Sequence, residues 1–392
     1  MKKPAILIVH NTYFQLGGED SVVEQEIAVL QKMGYPVFTY FFSNDAYKKL
    51  GWRTLLAPSR LFFNMTAFLK TYWLVKKNKI RFVHVHNFYY TASPSVFWAA
   101  KAAGAYTLFS VHNYRLFCLN GFFFRDGATC MLCHEQKSLQ PGITYSCFKS
   151  SAVFSSMLAS SINFHRQRGT WQHKVDRFVV LNPLIRQLLI ESGIPDKKIY
   201  MKSNFLNQNL SCAYSNYDER KDYYLFVGRV SEEKGIRHLI QAFKKNGKKL
   251  KLVGSGPLAE WLKEQVDANI AYQPAIAREE LFTLYASCKA LVFSSLWPEG
   301  QPMTIIEAQS TGALIIAAAS AITKQMIGDQ YGLLYTQGQA DELNRMISIF
   351  ESIPNDKLKA MSVRAHEYFL QNYTETQQLR AVSELYDDAL AQ

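Results

Sequence analysis

Short runs of branched and aromatic residues alternate along this chain with stretches of helical period. AILIV (5–9), PVFTYFF (36–42), RFVHVH (81–86) and YTLFSVH (106–112) read as strands. Helical patterns near 20–33 and 94–103 lie among them, with a basic helical region between the second and third strands. An irregular stretch at 113–150 breaks the rhythm. RFVVL (177–181) and IYMKS (199–203) resume it, with a helix predicted near 184–191. The rhythm then restarts with YYLFVG (223–228), KLKLVG (249–254), ALVFSS (290–295) and ALIIAAA (313–319). From Pro354 onward the pattern is wholly helical. Strand and helix in alternation predict α/β units, each a parallel sheet covered on both faces. A chain of 392 residues suits two such units. The polar segment 211–222 reads as the linker between them. The expected division is 1–205, 206–375 and a C-terminal helix, 376–392, placed to pack back on the first domain.

In doubly wound sheets ligands bind outside the carboxyl ends of the strands, so the residues that follow strands carry the candidate chemistry. Gly17-Gly18-Glu19-Asp20 follows the first strand and precedes a helix. Adjacent glycines let backbone approach a ligand, although a plain turn needs them too. Arg229 follows YYLFVG, and Lys234 stands where the next helix opens. Two cations there suit a diphosphate, unless Glu232 and Glu233 make it only a solvated loop. Gly254-Ser255-Gly256-Pro257 marks a tight strand-to-helix turn, or the edge of a base pocket.

FSSLWPEGQPMTIIEAQ (293–309) places Glu299 after a strand and Glu307 eight positions on. Pro302 suits the first position of a helix, which would leave the amides of Gly300, Gln301, Met303 and Thr304 as donors. Glu307 would lie a little over two helical turns past Glu299. Two carboxylates flanking free amides match a ligand with hydroxyls at both ends and an anionic middle, the shape of a nucleotide-sugar.

GGED (17–20), SVHNY (110–114), FVGRVSEEKG (226–235), LVGSGP (252–257) and PEGQPMTIIEA (298–308) occur in one order across almost the whole chain. In these motifs the sequence resembles the retaining glycosyltransferases of GT-B fold, in the large family usually numbered four. The resemblance implies two Rossmann-like domains facing each other across a cleft. It implies that Glu299 contacts the donor sugar's hydroxyls and Glu307 the ribose, that Arg229 and Lys234 hold the diphosphate, and that His112 lies at the sugar's reacting face. Gly17 and Gly18 would lie near phosphate and acceptor. The family often carries glutamate four places into the first loop; here that place is Asp20, preceded by Glu19. The chain has no Asp-x-Asp triplet to seat a divalent cation. No cofactor is therefore expected for catalysis, and cations with helix-end amides must stabilise the leaving diphosphate.

Charge adds a partner. Residues 1–200 hold 24 Lys+Arg against 10 Asp+Glu, a net of +14, and residues 201–392 hold 20 against 22, a net of −2. The stretch 48–81 mixes these cations with Trp52, Leu61, Phe62, Phe63, Phe68, Tyr72 and Trp73. Basic and bulky residues at helical spacing suit an anionic membrane surface, or else the aromatics face their own core. No apolar run approaches the ~18 residues of a membrane span, and Lys2-Lys3 opens too short a run for a signal peptide. The expected place is the cytoplasm, on the inner face of the membrane, with a glycan or lipid-linked acceptor and no nucleic acid.

The stretch 113–150 holds Cys118, Cys130, Cys133 and Cys147, which read as a structural zinc site, with His134 as a substitute ligand, or as reduced thiols packed in a loop, or as a redox pair. Cys212 and Cys288 read as packing residues. Two other functions fit less of the pattern: a nucleotide-sugar epimerase on the same fold, and a non-catalytic basic binding protein.

Overall fold

The structure, a computed structural model, describes residues 3–12, 18–43, 57–89, 91–207, 214–328 and 330–391. Gly17, Trp52 and Cys212 lie outside the described residues. The chain divides into two units. Residues 1–122, 131–204 and 378–392 form the first, and residues 123–130 and 205–377 form the second. Fourteen strands are described: β1 (Ala5–Thr12), β2 (Val37–Ser43), β3 (Ile80–Val85), β4 (Tyr106–Val111), β5 (Phe124–Arg125), β6 (Ala128–Thr129), β7 (Arg177–Val180), β8 (Ile199–Met201), β9 (Tyr224–Val227), β10 (Leu250–Val253), β11 (Ile270–Gln273), β12 (Ala290–Phe293), β13 (Leu314–Ala318) and β14 (Gly332–Tyr335).

The first unit's sheet runs β2-β1-β3-β4-β7-β8 and the second's β11-β10-β9-β12-β13-β14, with every neighbouring pair parallel. Both are doubly wound α/β sheets, as the alternation predicts. Ile6 to Val9 of β1 are fully buried, because a parallel strand covered on both faces has no solvent side. In β9, Tyr224 and Phe226 enter one core while Leu225 enters the core on the other face, the two-residue period of a strand. Strand order reverses between β1 and β3 in the first sheet and between β9 and β12 in the second. Those switch points are where a doubly wound sheet opens a crevice.

The hydrophobic pattern does not reveal β11 and β14, each of four residues and partly exposed. It also hides the helix Ala152–Gln167. Four serines dilute its apolar stripe. Ser155 and Ser161 are buried nonetheless, because Ser155 Oγ accepts from Phe148 N at 2.9 Å and Ser161 Oγ donates to Leu61 O at 2.9 Å. The helix Glu375–Ala391 returns to the first unit from Gln378 onward. There Tyr386, fully buried, packs edge-on against Phe82.

Candidate active site

In the second unit the segments leaving β9 and β12 are stitched together. Ser294 Oγ donates to Lys234 O at 2.7 Å, and Leu296 N donates to Glu233 O at 2.8 Å. Glu232–Lys234 forms a single 3-10 turn, and Gly235 leaves it at φ +69° to begin the helix Ile236–Asn246. A Cβ on Gly235 would collide with the carbonyl oxygen of Ser294, so only glycine permits this approach. Gly254 works similarly at the end of β10, where a Cβ would strike Gly228 O. Val230 N then donates to Ser255 O at 3.0 Å. LVGSGP therefore braces the Arg229 turn. The helix that follows runs Ala259–Lys263 and does not start at Pro257.

This bracing brings two of the candidate residues into contact. Lys234 Nζ donates to Glu299 Oε1 at 2.5 Å, and Ser295 Oγ donates to the same oxygen at 2.6 Å. The side chains are 21% and 7% exposed. Lys234 also lies 5.4 Å from the Trp297 ring centre. Arg229 is exposed at the end of β9.

Pro302 is not the first helical residue. Its ψ of 120° is extended, so it occupies the N-cap position and the helix runs Met303–Ser310. Glu299 thus lies in the preceding loop, and only Glu307 is on the helix. Gly300, Gln301 and Pro302 are buried in that loop, while Met303 and Thr304 form the first turn. Amides of a first turn have no partner within their helix. Glu307 is buried and accepts from Tyr285 Oη at 3.0 Å and Arg278 Nη2 at 3.2 Å. Burial pushes its carboxyl pKa up, against the opposing pull of Arg278 and Tyr285. The two glutamates therefore have separate partners.

In the first unit the switch point is crowded with polar side chains. His10 at the end of β1 is buried, with Nε2 2.8 Å from Asp20 Oδ1 and Nδ1 4.0 Å from Glu19 Oε1. Asp20 is thus the first-loop acid held closest to His10. Gly18 begins the helix Gly18–Lys32. After β3, His86 Nδ1 lies 3.1 Å from His112 Nε2, which follows β4. Burial holds the His112 pKa down at about 3 and lowers that of His86 well below the ordinary range. Both imidazoles are therefore neutral at pH 7. His86, Tyr89, His112 and Arg115 line part of one small pocket.

Behind His86 lies His84, stacked at 4.4 Å. Its Nε2 is 2.8 Å from Ser110 Oγ, and its Nδ1 is 2.9 Å from Tyr386 Oη and 3.2 Å from Glu26 Oε1. Glu26 is paired with the buried Lys202. The cation and His84 pull the Glu26 pKa well down, against a larger effect of burial upward that they together outweigh. The sequence pattern missed His10, Glu26, His84 and His86. HVH at the end of β3 was the available signal, since residues two apart on a strand point to the same sheet face and so bring the two imidazoles together.

The candidate cysteines are divided between the two units. Cys118, Cys133 and Cys147 belong to the first unit and Cys130 to the second. Within the first unit the sulfurs of Cys118, Cys133 and Cys147 do not all lie within 4.8 Å of one another. Cys118 Sγ donates to Asn120 Oδ1 at 3.0 Å. His134 Nε2 faces Glu191 Oε2 at 3.1 Å.

Comparison with known proteins agrees with the fold. Residues 213–368 match the family described as glycosyl transferases group 1. A 121-residue segment is 32% identical to an uncharacterized glycosyltransferase of Methanocaldococcus jannaschii, spanning 28% of this chain and 29% of that relative's length. The crystal structure of a glycosyltransferase from Rickettsia africae is similar over 100% of this chain and 99% of its own, with a TM-score of 0.70 and 17% identity. Anabaena HepE in complex with UDP-glucose is similar over 98% and 99%, with a TM-score of 0.68 and 14% identity. The chain thus has the GT-B fold, and its residues 213–368 resemble the glycosyl transferases group 1 family.

Proposed function

We propose that this protein is a retaining glycosyltransferase that needs no metal and moves a sugar from a nucleotide donor to a lipid-linked or surface-glycan precursor. One observation carries the reading: Lys234 after β9 and Glu299 after β12 meet at the switch point of the second sheet. A cation and a carboxylate delivered there by two strands match a ligand with a diphosphate beside a polyol. Arg229 adds an exposed forked donor for the diphosphate. Glu307 takes the ribose, and the first-turn amides of Met303 and Thr304 face the phosphates. His112, neutral, accompanies the sugar's reacting face. UDP-glucose bound to the similar HepE fold supports a UDP-sugar as the first donor to try.

The test is thermal stabilisation by UDP-, GDP-, ADP- and dTDP-sugars. A ligand at 100 times its Kd adds about 2.7 kcal/mol to the native state. One donor class should stabilise the wild type and leave Lys234→Ala unmoved. Stabilisation of neither protein by any donor refutes the reading.

A membrane-bound acceptor is favoured by the helix Met65–Lys77. Ala67, Thr71 and Val75 face inward, while Met65, Leu69, Tyr72 and Trp73 are exposed on the opposite stripe. Lys77 lies over the Trp73 ring at 4.4 Å and Lys76 over Tyr72 at 5.8 Å. An outward apolar stripe edged by lysines suits insertion at an anionic interface, where each basic residue contributes about 1 kcal/mol. Among the described residues no helix is long and apolar enough to cross a membrane. Replacing Lys76, Lys77 and Lys79 with Glu should abolish low-salt binding to anionic vesicles and leave donor binding intact. Wild-type protein that ignores such vesicles points to a soluble acceptor.

A further inference from the structure

Three groups around the first unit's switch point fit together in one way that the candidate site does not explain. His86 Nδ1 is committed to His112 Nε2 at 3.1 Å. His86 Nε2 is buried without a hydrogen-bond partner, while Glu26 Oε1 lies 3.2 Å from His84 Nδ1. One donor atom from each of Glu26, His84 and His86 lies within 4.8 Å of the other two. We infer that Glu26 acts through His86 to fix the tautomer and orientation of His112, which makes His86 a positioning residue for the reacting centre.

The protons can be placed from the partners. Glu26 is ionised, since Lys202 pairs with its other oxygen. A carboxylate oxygen only accepts, and a His86 nitrogen lies within 4.8 Å of one, so a proton on Nε2, the His86 nitrogen not facing His112, is favoured in that field. A neutral imidazole then has its lone pair on Nδ1, facing His112. His112 must donate from Nε2 to fill that contact. Its own lone pair is thereby left on Nδ1, the ring nitrogen that does not face His86. The opposite assignment would bury a lone pair on His86 Nε2 against a negative oxygen. An electron-rich nitrogen presented at a neutral ring suits a site where positive charge develops on a sugar. It also accepts a hydrogen bond from a sugar hydroxyl.

The same three donors do not make a metal site. His84 already uses both nitrogens, on Ser110 and Tyr386, and the Lys202 ammonium holds Glu26. A divalent cation would have to displace an ammonium from a fully buried pocket, with only one uncommitted imidazole nitrogen to receive it.

The inference rests on the reading of His112 as a reacting-face residue, so the experiment reads the tautomer separately from turnover. Protein with 15N-labelled histidine is observed by long-range proton–nitrogen correlation at neutral pH. His112 should show a protonated Nε2 and an unprotonated Nδ1. His86→Leu removes the acceptor, and should scramble that pattern and lower kcat about tenfold or more. The Kd for the stabilising nucleotide-sugar should stay within twofold. His86→Asn places an amide oxygen near the lost nitrogen and should restore both the pattern and most of kcat. A wild-type His112 protonated on Nδ1 overturns the inference, as does His86→Leu with wild-type tautomer and kcat. A divalent ion retained by the wild type and lost in His86→Leu also overturns it. If His112→Ala keeps full turnover while the tautomer pattern is as expected, it is the role of His112 that fails.

Discussion

The contact between Lys234 and Glu299 can be weighed before any substrate is known. Lys234→Ala leaves a carboxylate that is 7% exposed with the Ser295 hydroxyl as its remaining partner in that contact. A hydrogen bond to a charged group is worth about 1.5–3 kcal/mol. Solvent reaches 21% of Lys234, which screens the pair and sets the coupling near the low end, about 1.5 kcal/mol. Glu299→Gln removes the charge while keeping the shape. The double variant should therefore be more stable than the sum of the two single losses by about that amount. Chemical denaturation of the four unliganded proteins gives the coupling directly. UDP titrated into the same proteins reads the other side of the balance. Binding a diphosphate must draw Lys234 away from Glu299, so Lys234→Ala should raise the Kd about tenfold or more, at ~1.4 kcal/mol per decade. A coupling below about 0.3 kcal/mol, within ordinary non-additivity, refutes the idea that the two groups form one preorganised unit.

Sugar transfer should persist in EDTA, and complete loss restored by Mg²⁺ or Mn²⁺ would contradict a mechanism run by Arg229, Lys234 and backbone amides. Stability should fall with acid through His112. Its pKa is about 3 when folded and about 6.5 when unfolded, so its contribution is complete above pH 6.5 and is lost as the pH falls. Between pH 7.5 and 5 the loss amounts to about 2 kcal/mol at most, and His112→Asn should flatten that part of a denaturation-versus-pH curve. Gly235→Ala should cost more than the ~1–2 kcal/mol of a left-handed residue, because its Cβ meets the Ser294 backbone. It should weaken UDP binding as well, whereas a loss below ~0.5 kcal/mol would mean the two loops part easily.

The sheets were legible because buried parallel strands are continuous apolar runs, as in AILIV and ALIIA, and no other element of that length reads so. The places of Arg229, Lys234 and Glu299 in the fold were legible for a related reason, since each follows a strand or opens a helix and its spacing from that strand carries its position. The direct bond between Lys234 and Glu299 was not legible. It depends on Ser294 and Gly235 meeting across 59 residues of sequence, and no local pattern encodes a tertiary approach. The buried Glu26–Lys202 pair escaped for the same reason, since each residue alone reads as a solvated charge. The hairpin at 123–130 reads as part of the first domain by position, but Thr129 Oγ1 donates to Leu296 O at 3.1 Å and the segment belongs to the second unit.

The ring of Tyr386 has a consequence for how the protein is made. Its hydroxyl contacts His84, and its ring fills a gap beside Phe82 and Tyr35. On a ribosome, β1 to β8 emerge long before that residue exists. Until it arrives, the centre of the first sheet has an open socket beside a buried carboxylate, a lysine and a histidine. The earlier-synthesised unit is therefore the later one to be completed, and a nascent chain must hold most of its second unit before its first can close. Truncation just after residue 377 should yield a soluble second unit beside a first that binds chaperone or hydrophobic dye, although every residue lost comes from the far end of the sequence.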